Sequence, residues 1–206
     1  MKLSSPLPQA CLRFVLATGL LLWLNHRYGM NMVERLLPLL RYELTWLDDN
    51  YRIINLTITK QAADPMILLD LTPARHIVVS AHFMIRPDPR IHGVVNFHAG
   101  SVLEPVIIGL VALSVWPAKE HIHYALRYVI GLPLLLLILP FDAAFVLLGE
   151  LWKILTSPSG QHDFSLLVAW TDFIMEGGRQ GLALFMAIIA IAGTHLIAPL
   201  FDRHPD

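Results

Sequence analysis

YVIGLPLLLLILPFDAAFVLLGEL, residues Tyr128–Leu151, is the stretch that decides the fold class, because Asp142 and Glu150 are its only charged groups. A surface helix of a water-soluble domain would show a polar stripe over such a length, whereas about 20 consecutive apolar residues suit a hydrocarbon core. Working outward, apolar runs recur at Leu182–Leu200 downstream and at Val102–Trp116 and Phe14–Leu24 upstream. Between Leu24 and Val102 the chain is amphiphilic. This layout predicts an α+β membrane protein with four transmembrane helices. A small antiparallel β-sheet plus an amphipathic helix would form an extramembrane domain between helices 1 and 2.

The composition agrees, with 55% hydrophobic and 15% charged residues. A net charge of −1 supplies no field for gathering a polyanion, so nucleic acid is not expected as a partner. Cys11 is the one cysteine, which excludes an internal disulfide and any paired-cysteine redox or zinc motif.

Residues 1–28 read as an N-terminal signal-anchor helix, since Lys2 and Arg13 precede the apolar run and Asn25-His26-Arg27-Tyr28 follows it without a small-x-small cleavage pattern. Residues 29–100 read as a periplasmic helix plus β-sheet domain. In Met30–Leu47 the apolar positions recur mostly at i, i+3 and i+4, with Pro38 expected to bend or break the helix. Beyond Asp48-Asp49-Asn50 the period changes to two, which puts Ile54, Leu56 and Ile58 on one strand face. Further strands are expected over Met66–Leu71, Arg75–Ile85 and Ile91–Phe97, and their short connections suggest a meander. Residues 101–206 read as a three-helix transmembrane region with an interfacial helix near 164–176. Lys2, Arg13, Lys119, Arg127 and Arg203 against Lys153 and Arg179 in the short flanking segments place both termini in the cytoplasm.

Ionisable groups within apolar runs are where function is sought first, because a charge in hydrocarbon costs about 2.5–3.5 kcal/mol on insertion scales. Asp142 stands out, and Glu104 and Arg179 would lie at the outer ends of neighbouring helices, so Asp142 is expected to form an intramembrane polar pair with Glu104 or Arg179, or else to face a water-accessible cleft or bond the backbone freed by Pro140. The histidines do not assemble a metal site by spacing: on an unbroken strand His76 and His82 would lie roughly 20 Å apart. His92 and His98 read as structural or solvated, His121 and His123 as residues that meet lipid phosphate headgroups, and His195 as a packing residue of the fourth helix. No residue is assigned to catalysis, to a metal or to a cofactor, and the identity of any cofactor is left unknown.

In the order of its segments the chain resembles small exosortase-associated integral membrane proteins of Gram-negative bacteria. The likeness rests on the anchor, the amphipathic helix, the strand-rich domain, Val94-Val95-Asn96 before the second apolar helix, and Leu132-Pro133 with Leu139-Pro140-Phe141-Asp142 in the third. The resemblance implies a non-catalytic accessory or assembly subunit of a bacterial inner-membrane complex, acting through its periplasmic domain in envelope protein sorting. Its partners would be other integral membrane proteins and the lipid bilayer. The alternatives are a structural subunit of a respiratory or copper-dependent membrane enzyme complex, and a small transporter using Asp142.

Overall fold

The computed structural model describes residues 6–61, 64–80, 83–88, 90–118, 121–156 and 165–201. In chain order the elements are α1 (Pro6–Leu47), β1 (Tyr51–Gln61), β2 (Asp64–Pro73), β3 (Ile77–Ser80), β4 (Phe83–Ile85), β5 (Gly93–His98), α2 (Gly100–Val115), α3 (His121–Thr156), α4 (Leu166–Phe173), a π-helical turn (Ile174–Gly178) and α5 (Arg179–Phe201). The chain divides into two compact units: unit 1 holds Met1–Gly29, Leu103–Leu139 and Arg179–Asp206, and unit 2 holds Met30–Val102 and Pro140–Gly178.

The α+β class holds, but the expectation of four transmembrane helices does not. Among the described residues two helical runs, Ile122–Thr156 and Leu166–Ile197, are long and apolar enough to cross a membrane. The physical reasons lie in the other two runs. Helix α2 has 16 residues, about 24 Å at 1.5 Å each, short of a hydrocarbon core of about 30 Å. The first apolar run is closed by Arg13 on one side and Asn25-His26-Arg27 on the other, and α1 continues from it into a charged segment. The outward placement of residues 29–100 was drawn from a crossing by the first helix, so it loses that support.

Unit 1 is a helical bundle closed by small residues. Ala183, Ala187 and Ala190 recur at i, i+4 and i+7 on α5 and are buried with Ile191, Leu113 and Leu135. Gly131 meets Leu113 closely: a Cβ there would come within 2.5 Å of Leu113 Cδ1 and 3.2 Å of the Ala190 methyl. Small residues at such crossings let backbones approach, which is how helices associate where no hydrophobic effect drives them together.

Unit 2 is built on a three-stranded antiparallel sheet of order β1-β2-β5. The central strand β2 buries Ile67, Leu69 and Leu71 by simple alternation, and Val95 and Phe97 continue the same layer on β5. Gly93 leaves a gap opposite Leu71 that Leu151 of α3 fills, a Cβ at 93 lying 3.1 Å from both side chains. Val33, Leu40 and Leu44 supply the buried stripe of α1.

Three local expectations change. The segment Arg75–Ile85 does not extend the sheet as a third strand; β3 and β4 pair with each other in a separate hairpin, and β5 takes the free edge of β2. A bulge between Ile53 and Asn55 turns Ile54 outward while Leu56 stays buried, so the three isoleucine and leucine positions do not share one face. Pro38 lies inside α1 without ending it. The hydrogen bond it forfeits is to the carbonyl of Glu34, and both residues are on the exposed side, where water can replace the missing donor.

Candidate functional site

At one end of unit 1, Glu104 lies in the second turn of α2 and α5 starts with Arg179 and Gln180. Arg179 Nη1 lies 3.9 Å from Glu104 Oε2, with the arginine side chain 5% exposed and the glutamate 38%. The firmer contact is Gln180 Nε2 donating to Glu104 Oε1 at 2.7 Å. The structure therefore brings Glu104 and Arg179 together and adds Gln180, whose amide only the fold could place there. Asp142 belongs to unit 2, where it is buried on α3 and is not an isolated charge.

The opposite end of unit 1 is cationic. Arg127 is fully buried near the start of α3, donating from Nη1 to the Trp116 carbonyl at 2.6 Å and from Nη2 to the Pro117 carbonyl at 3.0 Å. These carbonyls lie just past the last turn of α2, where a positive group meets the negative end of the helix dipole. Two guanidinium groups lie over the Tyr124 ring: Arg127 and Arg13 are each 5.4 Å from its centroid. Arg13 Nη1 also donates to the Tyr124 hydroxyl. Sequence reading counted Arg13 and Arg127 as flanking charges. Only the three-residue spacing of Tyr124 and Arg127 hinted at more, and nothing in the sequence joins Arg13 to them.

In unit 2, Lys153 Nζ donates at 2.7 Å to Glu150 and pairs at 2.6 Å with Asp172, tying α3 to α4. The chain then turns through Gly177, whose φ of 115° is a left-handed conformation that glycine adopts without strain. His92 Nδ1 lies 3.2 Å from Asp70 Oδ1, and the Gly100 amide donates to His98 Nδ1, which caps α2. His76 and His195 are exposed, and His123 is buried. His82 lies outside the described residues. Among the described residues no group of three His, Cys, Asp or Glu side chains is placed to hold a metal ion.

Two groups at the α1–sheet junction are poorly solvated. Burial raises the Glu43 carboxyl above its ordinary value, and the Tyr51 phenol is pushed upward by burial first and by the charge of Asp48 second.

The outer surfaces of both units are apolar where a soluble protein would be polar. In unit 1 Leu16, Leu20, Leu137, Phe185 and Ile188 are all more than half exposed. In unit 2 α1 buries Val33, Leu40 and Leu44 yet exposes Met32, Leu39, Tyr42 and Trp46, the last two at 70% and 72%. These four recur at i, i+7, i+10 and i+14, so they line a second stripe along the same helix. Comparison with protein-family models, curated proteins and solved structures finds no match to this chain.

Proposed function

We propose that this protein is an integral membrane protein of a bacterial inner membrane and a non-catalytic accessory or assembly subunit of a larger membrane complex. The observation that carries the reading is the Met32–Leu39–Tyr42–Trp46 stripe. Exposed aromatic and aliphatic side chains in a row, on a helix whose other side is already packed, are the mark of a surface made for a partner. Another integral membrane protein is the partner proposed. The likeness in segment order to exosortase-associated proteins directs the choice of complex toward envelope protein sorting.

The apolar exterior of unit 1 is proposed to face lipid. Arg13 and Arg127 lie at one end of unit 1, and Arg27 and Arg179 belong to the other. The orientation proposed is the one the short flanking segments favour, Lys2, Arg13, Lys119, Arg127 and Arg203 against Lys153 and Arg179, with both termini in the cytoplasm. Gentle detergent purification of the full chain with mass spectrometry of everything retained tests the accessory role. A stoichiometric membrane partner is expected, and Tyr42→Asp with Trp46→Asp should release it while leaving helical circular dichroism unchanged. Retention of the partner by that double variant would refute the assignment of the stripe.

A further inference from the structure

At the cationic end of unit 1 the described side chains offer hydrogen-bond donors that no described acceptor takes up. The Tyr124 oxygen receives an N–H from Arg13 and another from the Ala118 backbone at 3.2 Å. A phenol oxygen used twice as an acceptor has its own hydrogen left to give, and among the described residues no acceptor takes it. Arg13 is exposed, so the rest of its guanidinium fork is open to a ligand. Arg127 is enclosed and committed to two carbonyls, so it contributes charge rather than contact. Among the described residues no carboxylate lies within ion-pair distance of either arginine. Two cations on one ring, beside a phenol with a hydrogen to give, meet no anion among the described residues, and one with several acceptor oxygens would suit them.

We propose that this end of unit 1 is a binding site for a phosphate group, met by the Arg13 guanidinium and the Tyr124 hydroxyl, with Arg127 as the buried supporting charge. The group can come from an anionic lipid headgroup or from free phosphate. The lipid source rests on the bilayer reading above; the free-phosphate source does not.

Phosphorus NMR of the full chain in a neutral detergent tests this with two probes. One is inorganic phosphate without lipid, and the other is phosphatidylglycerol in mixed micelles. Saturable line broadening is expected, weakened about tenfold or more in Arg13→Gln and in Tyr124→Phe. Arg35→Gln, an exposed cation of unit 2, should leave it unchanged. Saturation with phosphatidylglycerol alone assigns the lipid source, and saturation with inorganic phosphate assigns the free ion. No saturable broadening with either probe, or broadening untouched by both variants, overturns the proposal. Alkaline extraction of the chain from membranes would count against the bilayer reading separately, without touching the phosphate arm.

Discussion

Thr171 of α4 occupies the notch that Gly149 leaves on α3. Its hydroxyl stands where a methyl group on residue 149 would have to go, and donates to the carbonyls of Leu167 at 2.9 Å and Phe145 at 3.4 Å. Within unit 2 this is a close helix contact that depends on one missing side chain and one hydroxyl.

Gly149→Ala should therefore force α3 and α4 apart and cost about 1–3 kcal/mol, the usual range for overpacking. Thr171→Ala frees the space at the price of two weak hydrogen bonds. The combination should recover part of the loss, so a double-mutant cycle by denaturant unfolding in detergent would give a coupling of about 0.5–3 kcal/mol. Additive losses would show that the two residues do not meet.

The Lys153 bridge is expected to matter less. Lys153 and its two partners are all partly exposed, Lys153 at 31%, Glu150 at 34% and Asp172 at 50%. Lys153→Ala should cost no more than about 1 kcal/mol. Repeating the unfolding at high salt should shrink the difference, because screening already weakens an exposed pair.

Glu43 gives stability a pH dependence of known sign. Burial raises its folded-state value, so the folded state holds the proton more tightly than the unfolded chain. Stability is then fullest below the ordinary carboxylate range and falls as pH rises through the elevated value. Glu43→Gln should raise the unfolding midpoint at neutral pH and converge with wild type in acid. A variant less stable than wild type at neutral pH would show that the carboxylate has a cation beside it.

The Tyr51 hydroxyl is buried and has no hydrogen-bond partner among the described residues. Removing an unsatisfied polar group should be neutral or stabilising. Tyr51→Phe is expected to unfold at the same denaturant concentration or a higher one. A loss of about 1 kcal/mol or more would mean the hydroxyl has an acceptor.

Much of the secondary structure was legible because periodicity is a local property. The alternation in Ile67, Leu69 and Leu71 marks a strand, and the spacing of Val33, Leu40 and Leu44 marks a helix face. Pairing is not local. Whether Arg75–Ile85 or Gly93–His98 takes the edge of β2 is settled by packing, with Gly93 making room for Leu151, and by a bulge at Ile53/Asn55 that no propensity signals. The number of membrane-crossing helices differs for another reason: an apolar run reads alike whether or not its helix can span, and α2 is short while polar residues close the run in α1. Of the site, Glu104 and Arg179 were legible as charges beside apolar runs. Gln180 and the Arg13–Tyr124–Arg127 stack were not, since they depend on which helix ends meet in space.

The apolar exterior of unit 1 is proposed to face lipid, and spin-label accessibility reads that directly. With Cys11 replaced by serine, single labelled cysteines at Leu137, Phe185 and Ile188 in the chain reconstituted in vesicles should collide readily with oxygen and poorly with a water-soluble nickel chelate. A label at Asp49, exposed in the turn before β1, should show the reverse. Nickel access at Leu137, Phe185 and Ile188 equal to that at Asp49 would contradict a lipid-facing exterior, because those side chains would then be facing water.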